Sequence, residues 1–213
     1  MPNPKISLEP DGTYHVFNHA VGNDNFFRKD ENYFFFLKKI KKWVLPIADI
    51  FAYCLMPNHF HFVVRIKSSN LLNELWVEKL KKRNRVSKTD TTGASHNQIL
   101  LLNDLITEQF SHCFNSYAQS YNKTYNRKGS LFKQSFQRKR IDTNEYLCQA
   151  ICYTHNNPIS HGFVEKRDAW KYSSYVAIIG NKPTLVLRTE VLELFGGLEN
   201  LIYVHEKYLG DEI

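Results

Sequence analysis

The order of the segments with regular hydrophobic periodicity predicts an α+β fold built on an antiparallel sheet. Segments rich in β-forming residues and segments with helical spacing follow one another as β-α-β-β-α-β-α. A chain of 213 residues, 43% of them hydrophobic, is long enough to bury a substantial core as one large domain. We therefore predict a ferredoxin-like antiparallel sheet with helices packed on one face, followed by a C-terminal helical extension.

The first half of the chain contains a strand, a helix and a hairpin. Residues 13–21 alternate well enough for a first strand, and Asp30 is predicted as the N-cap of a helix that runs to about Val44. Residues 50–55 and 60–66 are rich in β-branched and aromatic side chains. Because the Met-Pro-Asn between them favours a tight connection, these two segments are predicted to form a β-hairpin.

The second half returns to helical periodicity after a polar excursion. Residues 68–98 are predicted as an insertion that is flexible, with a short helix near its start. Helical spacing then covers residues 99–125, and residues 131–141 are predicted as a strand or an extended arm. A last helix of the domain is predicted at residues 143–156, where Pro158 ends it.

The remaining residues are predicted as an appendage to this domain. We assign residues 1–179 to the domain and residues 180–213 to the extension, with helices at 189–195 and 199–208.

The composition indicates the cellular compartment in which the protein is expected. No apolar run approaches the roughly 20 residues of a membrane-spanning helix, and the polar start of the chain is unlike a secretory signal. The four cysteines form no CxxC pair, which favours free thiols over a disulfide framework. We therefore expect a cytoplasmic protein with no membrane association.

Two histidines lie two residues apart on the second strand of the hairpin. The period of two in a strand directs His59 and His61 to one face and Phe60 and Phe62 to the other, so an accessible histidine face is expected opposite a buried one. Imidazole nitrogens bind divalent transition metals, and they accept magnesium or manganese when oxygen ligands and water complete the shell. His-x-His is therefore a candidate metal-binding motif, although two histidines on a strand are also commonly polar residues that are only solvated or hydrogen-bonded.

Four segments of the chain resemble one known family. LMPNHFHFVV, which contains His59 and His61, resembles the HUH signature of single-tyrosine nucleases, including small insertion-sequence transposases and REP-associated tyrosine transposases. ICYTHNNPISHGFV resembles the segment of the REP-associated enzymes that runs from the tyrosine to Asn-Pro, and GSLFKQSFQRKR and WKYSSY fit the same family. The resemblance covers roughly residues 13–176 apart from the insertion.

This resemblance implies a function and a set of site residues. Tyr153 would be the nucleophile, and Asn157, four residues further along the same helix, would be a third metal ligand beside His59 and His61. Some relatives carry glutamine in place of this asparagine. The family's reaction cleaves and rejoins single-stranded DNA with Mg²⁺ or Mn²⁺ through a covalent 5′-phosphotyrosine intermediate. The expected partner is therefore single-stranded or hairpin DNA.

The distribution of charge also favours a nucleic-acid partner. The formal net charge is +7, and residues 109–141 contain no Asp or Glu. Seven basic residues in that stretch are interleaved with aromatic ones, a combination that neutralises phosphates and stacks on bases. A second basic cluster lies within residues 79–88. The seven predicted DNA-binding residues are Lys123, Arg127, Lys128, Lys133, Arg138, Lys139 and Arg140.

Other interpretations stay open at the level of sequence. A structural zinc site could be formed by Cys148, Cys152, His155 and His161, although their spacing matches no recognised ligand pattern. A non-catalytic nucleic-acid-binding protein of the same fold would show the same basic and aromatic residues. The sequence also leaves open whether Tyr153 serves the histidines of its own chain or those of a partner in a homodimer.

Overall fold

The computed structural model describes residues 6–82, 95–133 and 135–208 of the chain. Within this part of the chain there are four strands: β1 (Thr13–His19), β2 (Ala48–Met56), β3 (His59–Ile66) and β4 (Gln137–Ile141). They form one sheet in the spatial order β2-β3-β1-β4, and each neighbouring pair is antiparallel. This is the strand order of a ferredoxin-like sheet, so the predicted fold class is confirmed.

The described residues also contain α-helices between and after the strands. They are α1 (Asp30–Trp43), α2 (Ser69–Lys82), α3 (Ser95–Thr124), α4 (Asn144–Ser160), α5 (Tyr175–Ile179), α6 (Arg188–Leu194) and α7 (Leu198–Lys207). A 3-10 turn at Arg167–Ala169 separates α4 from α5. The helices predicted in the C-terminal extension correspond to α6 and α7.

Helices α1 and α3 cover one face of the sheet through aromatic packing. Phe60 of β3 lies 5.1 Å, ring centre to ring centre, from both Phe36 of α1 and Phe114 of α3. All three side chains are almost fully buried. Burial of such a side chain stabilises the fold by about 1.5–3 kcal/mol, so this aromatic layer is a major part of the core.

Helix α4 lies against the other face of the sheet, which carries the histidines of β3. The helix begins with Thr143 at its N-cap, where the threonine oxygen accepts a hydrogen bond from the Tyr146 backbone N–H. It contacts both β2 and β3. The sheet is therefore covered on both faces, with α1 and α3 on the phenylalanine side and α4 on the histidine side, whereas the prediction placed the helices on one face.

The chain that follows α4 covers the outer edge of β2. The Leu55 N–H donates to the Tyr172 carbonyl (3.0 Å), and the Leu187 N–H donates to the Ile50 carbonyl (2.8 Å). These bonds satisfy backbone groups that would otherwise be unpaired at the end of the sheet.

A row of buried polar groups ties this segment and α7 to the sheet. The Tyr53 N–H donates to the Ser174 hydroxyl (2.8 Å), which lies 2.8 Å from His155 Nε2. His155 Nδ1 lies 2.9 Å from His205 Nε2, and His205 Nδ1 lies 2.8 Å from the Leu201 carbonyl. With both imidazoles neutral, every bond in the row has one donor and one acceptor.

Two predicted helix boundaries are wrong. Asp30 is the first residue of α1, and Lys29 occupies the N-cap position. The Asp30 carboxylate instead accepts hydrogen bonds from the side chains of Lys171 and Tyr172. Pro158 does not end α4, which continues to Ser160, because a proline in the last turn removes a single backbone donor and the turn is otherwise retained.

The segments predicted as irregular contain regular elements. Residues 68–98 begin with α2, where a short helix is predicted, and end with the start of α3; residues 83–94 lie outside the described residues. A strand was predicted at residues 131–141, but regular pairing begins only at Gln137. Before that residue, Phe132 makes an isolated bridge to Ala20.

No helix in the described residues is long and apolar enough to cross a membrane. The four cysteines are free thiols, and three of them are buried.

Candidate active site

His59 and His61 lie on β3 beneath helix α4. Their side chains are buried, with 3% and 4% of their surfaces exposed. The expectation of an accessible histidine face is therefore wrong, because the strand period separates two faces but does not reveal that a later helix covers the second one. The exposed His161, which caps the C-terminal end of α4, lies 4.8 Å from His59 between ring centres. An exposed side chain therefore lies beside His59 at that end of α4.

Asn157 of α4 faces His59. Its Oδ1 lies 3.1 Å from His59 Nε2, while its Nδ2 donates to the Tyr153 backbone carbonyl (3.1 Å). A carbonyl can only accept a hydrogen bond, so this second contact fixes the amide with its oxygen toward the histidine. The shorter side chain of asparagine, compared with glutamine, is therefore long enough to reach the histidine.

Tyr153 lies one helical turn before Asn157 and contacts the second histidine. Its ring stands edge-on to His61, with 5.4 Å between ring centres and 87° between the planes. The residue is half-buried. The structure thus brings together the four residues that the sequence singled out for the reaction, His59, His61, Asn157 and Tyr153, and their roles stay predictions.

Two further histidines, which lie on β1, contact this site and were not predicted from the sequence. His15 Nε2 is 2.8 Å from His61 Nδ1, and the ring of His19 stacks on that of His59 with 5.0 Å between centres. Their spacing of four residues on a predicted strand puts both on one face, and this spacing is the sequence feature that could have identified them. Which strand β1 pairs with, and in which register, was not readable from the sequence.

The electrostatics of the site keep the imidazoles neutral. Burial lowers the pKa of His59 to about 4 against the opposing effect of its contact with Asn157, and burial lowers the pKa of His61 well below its ordinary value. The pKa of His15 falls to about 3, chiefly through burial and further through the charge of Lys139. Neutral imidazoles keep a lone pair free for a cation at pH 7.

The contacts of His59 fit a bound cation. Its Nδ1 lies 2.8 Å from Asn58 Oδ1, and its Nε2 lies 3.1 Å from the Asn157 oxygen. A neutral imidazole carries one N–H, so it can satisfy only one of these two acceptors. A divalent cation would satisfy the second contact, because the imidazole nitrogen and the amide oxygen can both be its ligands.

A site made only of ionisable ligands is absent from the described part of the chain. No three His, Cys, Asp or Glu side chains there are grouped so that they could hold a metal ion. The alternative zinc site is not assembled, because His155 is bonded to Ser174 and His205 while His161 lies beside His59. A cation at His59 and His61 would therefore depend on the amide of Asn157 and on water or DNA oxygens for its other ligands.

Three of the predicted DNA-binding residues are engaged within the protein. Arg127 donates to Asp24 from two nitrogens (3.0 and 2.6 Å) and is half-buried. Arg138 donates to the backbone carbonyl of Ile6. Arg140 contacts the carboxylates of Glu9 (2.5 Å) and Asp142 (2.7 Å). These arginines hold loops and the edge strand in place.

The four predicted lysines, Lys123, Lys128, Lys133 and Lys139, are exposed. Lys139 lies directly across the sheet from His15 in the β1–β4 register, and its charge lowers the pKa of that histidine. Lys133 lowers the pKa of His19 in the same way, after the larger effect of burial. Two lysines therefore stand beside the histidine cluster, where they form a positively charged rim.

Comparison with known proteins gives one informative result. No family model matches the chain, and no curated protein does. A solved REP-associated tyrosine transposase shares its fold. That structure, bound to a REP hairpin, is 12% identical to this chain, with 84% of this chain and 85% of that chain covered and a TM-score of 0.50. At this identity, the likeness establishes the architecture of the sheet and its helices.

Proposed function

We propose that this protein is a single-tyrosine DNA transposase of the REP-associated type, which cleaves and rejoins single-stranded or hairpin DNA with a divalent cation. The observation that carries the proposal is the convergence of Tyr153 and Asn157 of α4 on His59 and His61 of β3. The fold likeness to a transposase bound to a REP hairpin supports it, because the motifs of the sequence resemble the same family.

The cation would be held by His59, His61 and the oxygen of Asn157. When bound, Mg²⁺ or Mn²⁺ supplies Lewis-acid polarisation of the scissile phosphate and offsets the charge that develops there. The protein contributes neutral imidazoles in a buried setting. The carbonyl of Tyr153 contributes orientation, because it holds the Asn157 amide with its oxygen toward His59.

Tyr153 would attack the phosphorus atom. A bond forms between the phenol oxygen and phosphorus, and the bond from phosphorus to the 3′ oxygen of the preceding nucleotide breaks. The phenol loses one proton and the leaving 3′ oxygen gains one, so the step is balanced and needs no water or nucleotide. The edge-on contacts of the ring with His61 and His15 hold the phenol at the histidine cluster.

The DNA would reach the site past the exposed lysines. Lys133 and Lys139 flank the histidine cluster, and each can neutralise one backbone phosphate near the reacting group. Because the covalent ester conserves the energy of the broken bond, a free 3′-OH can attack it and restore a phosphodiester. The same residues therefore suffice for cleavage and for joining.

The decisive experiment is the Tyr153→Phe substitution. The variant removes one oxygen and retains the ring that packs on His61, so it is expected to bind the same DNA and to form no covalent adduct. Adduct formation would be followed with a labelled hairpin DNA in the presence of Mn²⁺ and resolved under denaturing conditions. Tyr146→Phe is the matched control, since this half-buried phenol lies on the same helix about 10 Å away along the axis.

Two results would contradict the proposal in different ways. An adduct at the wild-type level in the Tyr153→Phe protein would assign the nucleophile to another residue. DNA binding by the wild-type protein without any adduct, with or without Mn²⁺, would instead identify a non-catalytic nucleic-acid-binding protein of this fold.

A further inference from the structure

His15 makes a direct side-chain contact with a proposed metal ligand. It lies on β1 with 2% of its surface exposed, and its Nε2 is 2.8 Å from His61 Nδ1. The strand register pairs His15 with Val63 and Phe17 with His61, so the two histidines are diagonal neighbours on one face of the sheet.

The proton between these nitrogens decides what His61 can bind. If His61 carries it on Nδ1, that nitrogen donates to His15 and the Nε2 of His61 is a bare lone pair. If His15 carries it on Nε2, the Nε2 of His61 must hold a hydrogen, and it cannot be a metal ligand. The two arrangements differ in the position of one proton on each ring.

The other nitrogen of His15 adds a second observation. His15 Nδ1 is buried and has no hydrogen-bond partner within the described part of the chain. A buried polar atom without a partner destabilises a fold, and in native proteins it calls for a functional explanation. A phenylalanine at this position would fill a similar space without that cost.

We propose that His15 is a positioning residue: it accepts the Nδ1–H of His61 and thereby keeps His61 Nε2 as the lone pair that binds the divalent cation. This inference rests on the proposed function, since it assumes a cation at His59 and His61. It extends the site by a residue that touches neither the cation nor the DNA. Partners of this kind orient the imidazole and raise its basicity.

The test measures Mn²⁺ affinity by titration calorimetry on the full-length protein without DNA. His15→Phe is expected to weaken binding about 10- to 100-fold, because it keeps the ring volume and removes the acceptor. His15→Gln is expected to restore much of the affinity, since its side-chain oxygen lies as many bonds from Cβ as Nε2 does. Phe17→Leu is the control: it removes a ring that stacks on both histidines (4.9 and 5.8 Å) and leaves their bond intact.

A second measurement does not depend on any variant folding. Nitrogen-15 NMR of histidine-labelled wild-type protein with Mg²⁺ is expected to show the His61 proton on Nδ1. A proton on Nε2 of His61, or equal Mn²⁺ affinity in wild type, His15→Phe and His15→Gln, would overturn the inference and leave the proposed function standing. Failure of the wild-type protein to bind Mn²⁺ at all would overturn both.

Discussion

Lowering the pH from 7 to 5 is expected to destabilise the fold through the buried pair His155 and His205. Both imidazoles belong to the row of hydrogen bonds that ties α4 and α7 to β2, and each one donates from one nitrogen and accepts at the other. Protonation of His205 converts its Nε2 from an acceptor into a donor, which then faces the Nδ1–H of His155.

The size of the effect follows from the pKa of His205. The pKa of His205 falls to about 4, chiefly because the ring is buried; the bond to the Leu201 carbonyl opposes this shift, and the charge of Arg167 adds a smaller lowering. In the unfolded chain a histidine titrates near 6.5. The unfolded state therefore binds a proton that the folded state excludes, so the stabilisation is complete above pH 6.5 and is lost as the pH falls toward 4. By linkage, His205 alone lowers the free energy of unfolding by about 2 kcal/mol at pH 5 and by about 3 kcal/mol below pH 4, relative to neutral pH.

Urea unfolding at pH 7, 6 and 5 would measure this loss. His205→Gln keeps a donor and an acceptor but does not titrate. The decline in its free energy of unfolding between pH 7 and 5 should therefore be about 2 kcal/mol smaller than the decline of the wild type. Equal declines in wild type and His205→Gln would refute the assignment of the acid sensitivity to this pair.

Two further predictions concern the cation and the DNA. Mn²⁺ at 100 times its Kd should raise the free energy of unfolding of the wild type by about 2.7 kcal/mol. His59→Ala should abolish this increase, and the control variant His112→Ala should retain it. An undiminished increase in His59→Ala would exclude His59 as a ligand. Replacing Lys133 and Lys139 with alanine should reduce the slope of log affinity for single-stranded DNA against log salt by about 0.7 for each phosphate that is no longer neutralised. Arg127→Ala should lower the melting temperature and leave that slope unchanged, and an unchanged slope in the double lysine variant would put the DNA path elsewhere.

The sequence was informative where function depends on local spacing. The period of two on β3 puts His59 and His61 on one face, and the helical period puts Tyr153 and Asn157 on one side of α4. Both patterns were readable because they need only a few consecutive residues. The meeting of the two patterns was expected from the family resemblance, and the 3.1 Å contact between His59 and Asn157 agrees with it.

Features that depend on pairing over long distances in the chain were not predictable. The contact of His15 with His61 requires the register of two strands 46 residues apart, and the ion pair of Arg127 with Asp24 joins residues 103 apart. A basic residue in a run of positive charge looks the same in the sequence whether it faces solvent or an acidic partner. For this reason, the predicted DNA-binding set included three arginines that are bonded within the protein.

The coverage of β2 by the chain after α4 limits how copies of the protein can associate. At Ile50 and Leu55 the backbone groups on the outer side of that strand are already bonded to residues 187 and 172, so a second molecule cannot add a strand there without displacing them. At the opposite end, β4 is five residues long and rich in Lys and Arg, features that disfavour edge-to-edge pairing. An assembly that exchanged Tyr153 between two copies would therefore have to form through helix or loop surfaces, and removal of the chain after α4 would convert β2 into an aggregation-prone edge.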